Sequence, residues 1–324
     1  MSPSSVQAER PEGVPADWAG LLLVDKPTGV TSHDVVALAR RALRIKGIGH
    51  LGTLDPNASG LLVLAVGVAT RCLTVWQGGR KTYAGTARFG TVTDSQDSTG
   101  RVLATSEARP DEAAVRAAAV ALTGELQQVP PMVSALKHEG ERLYDIARRG
   151  GTVERAPRAI RVDAWRWLGF TADTADFEVD CSGGTYVRTL VHDLGAALGM
   201  GATLAALRRL RSEPFDVRDA CPASAFRELA PAEVLARAGR PLDRALDSLP
   251  AVTIDAPQAE AIGRGQSPRV VPGEAPVGAG ERSVVLRTAE GRALALAHLE
   301  RAGEGVMAFP DVVFPWAVRE GRMA

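Results

Sequence analysis

Apolar positions along the chain fall into two kinds of pattern, continuous runs and alternations, and each predicts a different element. Leu21, Leu22, Leu23 and Val24 are contiguous and are closed by Asp25-Lys26-Pro27-Thr28-Gly29, which reads as a buried strand entering a turn. Val35, Val36, Ala39 and Leu43 share one helical face, and Ser32 stands where a helix N-cap belongs. The stretch 47–60 is glycine-rich and holds Pro56, so it reads as a loop, and 61–66 is again a continuous apolar strand. From 83 to 89 the rhythm changes to two, with Tyr83, Gly85, Ala87 and Phe89 on one face. A polar loop over 94–100 and an alanine-rich helix over 111–122, with Gly124 beyond its end, follow. Trp165, Trp167 and Gly169, then Phe177, Val179 and Cys181, alternate as the two strands of a hairpin. Ser182-Gly183-Gly184 ends that pattern, and Leu190, Val191, Leu194 and Leu198 give a helix from about 186 to 198 an apolar face.

Strands and helices mix without a regular βαβ rhythm, which predicts an α+β fold with an antiparallel or mixed sheet. After about residue 250, short β-like runs separated by glycine turns suggest a second, small β-rich unit. A length of 324 residues suits one large domain and one small one. The sequence suggests no internal repeat.

Composition narrows the function classes. Lys+Arg and Asp+Glu are 38 each, so there is no global basic excess, although a neutral protein can still carry a local basic groove. Cys72, Cys181 and Cys221 are far apart and read as small buried apolar residues in a reducing compartment. Neither they nor the five scattered histidines show metal-ligand spacing, so no metal site is expected. Residues 1–17 lack the basic start and apolar run of a signal peptide and read as a disordered tail. No run approaches the roughly 18 apolar residues of a membrane span, so a cytoplasmic protein is expected.

The most informative stretch is Gly49-His50-Leu51-Gly52-Thr53-Leu54-Asp55-Pro56-Asn57-Ala58-Ser59-Gly60. Gly47-Ile48-Gly49-His50-Leu51-Gly52 fits the dinucleotide pattern G-x-G-x-x-G, which would make the chain a nicotinamide-dependent oxidoreductase. That pattern needs a strand before it and a helix opening within it. Here a basic, helix-like stretch over 40–46 precedes it and Pro56 follows, so it is set aside. What remains is one carboxylate, Asp55, in a loop of small residues. Taken alone, an Asp-Pro pair is a turn former. The glycines, which let a backbone approach a ligand closely, argue for a site.

This loop resembles the catalytic motif of the TruB-type tRNA pseudouridine synthases, and further segments match in order. Gly20 to Gly29 resembles the family's N-terminal motif, Lys81-Thr82-Tyr83 its tyrosine motif, and Ser134-Ala135-Leu136-Lys137 with 140–149 its RNA-gripping insertion. Gly184-Thr185-Tyr186-Val187-Arg188-Thr189 resembles its arginine motif and Leu207-Arg208-Arg209-Leu210 a segment lining the pocket. Together these span roughly 18–215.

The resemblance implies an organisation: a catalytic domain over 18–245 with an RNA-gripping insertion at 131–159, then a β-barrel-like PUA-type domain over 251–320. Arginines do not outnumber acidic residues in that last segment, so RNA contact there, at the acceptor end of tRNA, rests on resemblance alone. It also implies an activity: isomerisation of the T-loop uridine at tRNA position 55, with the base flipped out of its stack. The bond from uracil N1 to ribose C1′ is cut and remade at C5, with no redox change, so no cofactor and no obligatory protein partner are expected. The resemblance makes Asp55 the essential carboxylate, acting as nucleophile or base. Burial would disfavour its charge and a guanidinium, assigned to Arg188, would restore it. Tyr83 would stack on the base and help remove the C5 proton, Leu207 would pack on the same base, and His50 would fill the space it vacates. Tyr186 belongs to the arginine motif and is placed in the binding site with it. Lys26, Lys81, Lys137, Arg142, Arg148 and Arg149 are phosphate-contact candidates. The competing reading on the same scaffold is a non-catalytic tRNA-binding or folding protein, against which joint retention of Asp55, Tyr83 and Arg188 argues.

Overall fold

The computed structural model describes residues 11–15, 18–134, 136–138, 140–273, 275–278 and 283–320; most of the expected N-terminal tail lies outside them. In chain order the first half runs β1 (Gly20–Lys26), α1 (Ser32–Leu43), β2 (Ile48–Leu51), β3 (Ala58–Val66), α2 (Thr74–Gln77), β4 (Lys81–Phe89), β5 (Thr91–Thr93), β6 (Val102–Thr105), α3 (Glu112–Ala121) and β7 (Gly124–Gln128). It continues with β8 (Lys137–His138), β9 (Glu141–Arg142), α4 (Leu143–Arg148), β10 (Arg158–Phe170), β11 (Thr174–Cys181), α5 (Val187–Ala197), β12 (Ala202–Ser212), β13 (Phe215–Asp216), β14 (Cys221–Pro222) and β15 (Gly239–Pro241).

An eleven-stranded sheet forms the centre, with a main path β14-β1-β3-β12-β4-β11-β10-β7. Most neighbours are antiparallel, but β12 runs parallel to β3 and β1 parallel to β14, so the sheet is mixed, as expected for this α+β chain. A separate five-stranded sheet is built from β16 (Ala251–Thr253), β17 (Arg269–Val270), β18 (Val284–Arg287), β19 (Ala293–Ala302) and β20 (Gly305–Val313).

Both faces of β1 and β3 are covered, which is why their sequences are apolar without interruption. Leu22, Val24, Leu62, Leu64 and Val66 face a core shared with Val35, Val36, Ala39 and Leu43 of α1 and with Leu190, Val191 and Leu194 of α5. The alternate residues Leu21, Leu23, Leu61, Val63 and Ala65 face a second core shared with Val285, Leu296, Val312 and Phe314. The C-terminal sheet thus seals the back of the central one, leaving the far ends of the strands for a site. Each fully buried aliphatic side chain contributes about 1.5–3 kcal/mol.

Two local expectations change, and one exclusion is borne out. Residues 48–51 of the expected loop form β2, antiparallel to β3 with His50 opposite Leu64, because the exposed edge of a continuous strand accepts their backbone groups. No helix opens within the G-x-G-x-x-G pattern, which removes the oxidoreductase reading. The cap of α1 is Thr31, whose side chain accepts from Asp34 N while Asp34 returns a bond to Thr31 N. Ser32 sits one position later, is buried, and pairs with Leu54 instead. Cys72, Cys181 and Cys221 are buried and free. Among the described residues no helix is long and apolar enough to cross a membrane.

Candidate active site

The register of β12 assembles the site. Inserted between β3 and β4, it sets Leu207 beside Ala58 on one side and Gly85 on the other, and Arg209 beside Gly60 and Tyr83. The close approach requires glycine at position 60: with φ +98°, a β-carbon there would lie 2.2 Å from the Arg209 carbonyl oxygen.

The loop between β2 and β3 carries Asp55 and is tied down by the segment after β1. Ser32 Oγ accepts from Leu54 N at 2.9 Å and donates to Leu54 O at 3.0 Å. Gly29 N donates to Pro56 O at 2.8 Å, and Ala58 N to Asp55 O at 3.0 Å. Arg208 grips Asp25 with two hydrogen bonds of 2.9 and 2.6 Å, fastening the same segment to β12.

Asp55 pairs with Arg188, as expected, with Nε 2.9 Å from Oδ2. The burial is unequal, since the arginine side chain is 4% exposed and the aspartate 40%. Arg188 also donates from Nη1 to Ser95 O at 2.6 Å and from Nη2 to Val133 O at 2.8 Å, and its Nε lies 3.8 Å from Asp97 Oδ2. The guanidinium is therefore held from several sides, while Asp55 Oδ1 meets no described donor. The loop over 94–100 was read from the sequence only as polar. Its Ser95 carbonyl and Asp97 carboxylate are parts of the arginine clamp.

Tyr83 is in the site, with 7% of its surface exposed. Burial pushes its phenol upward, and the nearby Arg209 guanidinium opposes that rise. His50 lies partly buried on β2; desolvation, with Arg209 and His33 nearby, lowers its pKa. Its Nδ1 is buried and no described group pairs with it. Leu207 is half-buried between the Asp55 loop and β4. Tyr186 precedes α5, its backbone bridged by Gln128 through bonds of 2.8 and 3.0 Å, and burial pushes its phenol upward.

The basic candidates divide. Lys26 is fully buried and its ammonium donates to Pro27 O at 2.9 Å, Val30 O at 2.7 Å and Pro56 O at 3.4 Å. Desolvation lowers its pKa to about 8. Lys81 is buried too and donates to Gln77 O at 3.3 Å and Gly79 O at 3.0 Å. Both were expected as phosphate contacts; with their donors committed to backbone carbonyls, they instead hold the loops that frame the site. Arg149 is exposed and paired with Glu141. Lys137, Arg142 and Arg148 fall on β8, β9 and α4, and their side chains lie outside the described residues.

Arg209 is the group that residue-level reading missed. It is 1% exposed and donates from Nε to Leu61 O at 2.7 Å and from Nη2 to Gly52 O at 3.1 Å. In the sequence it is one of two adjacent arginines, and only its register opposite Gly60 and Tyr83 separates it from its neighbour.

Comparisons with known proteins give the family. Residues 40–187 match the model of the TruB family pseudouridylate synthase N-terminal domain, and residues 188–248 that of the tRNA pseudouridylate synthase B C-terminal domain. A tRNA pseudouridine synthase B of Opitutus terrae is 50% identical over 216 residues, covering 66% of this chain and 90% of that protein. The one of Aromatoleum aromaticum is 43% identical over 284 residues, covering 88% and 90%. A chain in the crystal structure of a Cbf5-Nop10-Gar1 complex is similar with a TM-score of 0.70 and 26% identity, covering 96% of this chain and 91% of that one. With Asp55, Arg188 and Tyr83 gathered at one end of this sheet, the chain belongs to the TruB family of pseudouridylate synthases.

Proposed function

We propose that the protein isomerises uridine to pseudouridine in tRNA, at the T-loop position 55, with Asp55 as the reacting carboxylate. The observation that carries this is the pairing of a buried guanidinium, held at all three nitrogens, with a half-exposed carboxylate whose second oxygen meets no described donor. The guanidinium lies at ion-pair distance from the carboxylate and occupies its other oxygen, Oδ2. Its free Oδ1 is available for attack or for proton abstraction.

In the reaction the N1–C1′ bond breaks, the uracil turns, and C5 bonds to C1′. The C5 proton leaves and N1 is protonated, so product and substrate are isomers. Tyr83, two positions before Gly85 on β4, is the residue on which the flipped base stacks and which assists removal of the C5 proton. Leu207 packs against that base. The unpaired Nδ1 of His50 is the group that meets the RNA in the space the base vacates, since a buried polar atom without a partner costs about 1–3 kcal/mol until a ligand satisfies it. Residues 18–245 form the catalytic domain, 131–159 its RNA-gripping segment, and 251–320 a PUA-like domain that contacts the acceptor end.

The test is tritium release from C5-tritiated uridine in a T-arm stem-loop RNA. Release by the wild-type protein is expected. Binding without release would overturn catalysis in favour of a tRNA-folding role.

A further inference from the structure

At the far end of α1, a basic surface continues from β2 that the reaction above does not use. Arg40, Arg41, Arg44 and Lys46, with Ile45 as a buried anchor, line one surface depression. Arg41 and Lys46 are exposed and make no side-chain hydrogen bond or ion pair with any described residue. Arg40 makes one, from Nη2 to Ile48 O at 2.6 Å.

Two features distinguish this cluster from an ordinary solvated face. The chain is neutral overall, and arginines such as Arg80, Arg161, Arg166, Arg218 and Arg264 are neutralised by carboxylates. The helix macrodipole accounts for Arg40 and Arg41 in the last turn of α1. It does not account for Lys46, which lies beyond the left-handed cap at Arg44, on the way into β2. The cluster is also aligned with the site. Arg40 holds the Ile48 carbonyl, and His50 follows two residues along the same strand, roughly 7 Å further.

We infer that Arg41 and Lys46, on the shelf braced by Arg40, bind the phosphodiester backbone of the RNA arm that presents the target uridine. The inference rests on the RNA-modifying reading and names a surface for it. Unpaired cations at a helix end and on the short link into a strand suit a polyanion whose register must be set without reading its bases.

The experiment measures the Kd of a T-arm stem-loop RNA across a salt series, with single-turnover tritium release at saturating RNA as the control. For Arg41→Gln/Lys46→Gln, the slope of log Kd against log salt should fall by about 1.8, two contacts at roughly 0.9 each. For Arg41→Glu/Lys46→Glu, binding at low salt should weaken at least about tenfold, while the rate at saturation stays within twofold of wild type. Unchanged Kd and slope in both variants, with the wild type binding and turning over the RNA, would overturn the shelf and leave the proposed function standing. A wild-type protein that neither binds nor modifies the RNA would overturn both.

Discussion

Arg188 reaches Asp55 with Nε 2.9 Å from Oδ2, and its two terminal nitrogens each donate to a backbone carbonyl, that of Ser95 and that of Val133. The guanidinium is therefore oriented before substrate arrives, and no reorganisation is needed when charge shifts at the carboxylate. Asp97, 3.8 Å from the same Nε, keeps a second negative charge nearby.

This arrangement makes Asp55→Asn an informative change. The amide keeps the shape of the side chain, and Asp97 remains to offset Arg188, so the fold persists. Turnover should vanish while RNA binding stays within a few-fold, read by tritium release and by filter binding on the same preparation. Wild-type turnover by the variant would contradict the role of Asp55.

Arg209 tests the other half of the site. Arg209→Met leaves Leu61 O and Gly52 O without their donor, at about 1–3 kcal/mol for each unsatisfied group. The melting temperature should drop and kcat fall with little change in KM, because the loop bearing Asp55 and the Tyr83 phenol lose a common brace. Arg209→Lys should recover part of kcat. A variant that loses stability but keeps full kcat would make Arg209 merely structural.

Thr31 and Ser32 are adjacent but have different jobs. Thr31→Ala removes the cap of α1, costs about 1 kcal/mol, and should leave turnover unchanged. Ser32→Ala removes both bonds to Leu54, the residue before Asp55, and should lower turnover as well as stability. Urea melts and tritium release on the two variants give the comparison, and equal activity would refute it.

Lys26 predicts a pH dependence of stability. Burial lowers its pKa from the ordinary 10.5 to about 8, so between these values the unfolded chain binds more protons than the folded one. Unfolding free energy should then rise with pH from about 8 to 10.5, by at most about 3 kcal/mol, and this contribution is flat below 8. Denaturant melts over that range on wild type and Lys26→Met give the difference. Equal slopes would mean that Lys26 does not carry the effect.

Much of the fold was legible because it is local. The face of α1 formed by Val35, Val36, Ala39 and Leu43 follows from spacing alone, as does the two-residue rhythm of β4, and the unbroken apolar run of β3 signals burial on both sides. The motif around Asp55 was legible as a contiguous loop of small residues, and the pairing with Arg188 came from resemblance. What stayed hidden depends on who the neighbours are. β2 exists because the edge of β3 is free to accept it, and the cap of α1 passes to Thr31 because Leu54 occupies Ser32.

The amino-acid order thus settles propensity, periodicity and which side chains are available for chemistry. Packing settles where their donors point. Lys26 and Lys81 look like surface cations in a list of residues, yet burial turns their ammonium groups onto backbone carbonyls. Arg209 differs from Arg208 only by the two-residue alternation of β12, which sends one into the site and the other to Asp25. The arginine assignment arises from a strand pair more than a hundred residues apart in the chain, Gly60 with Arg209, and the local pattern around neither position encodes its partner.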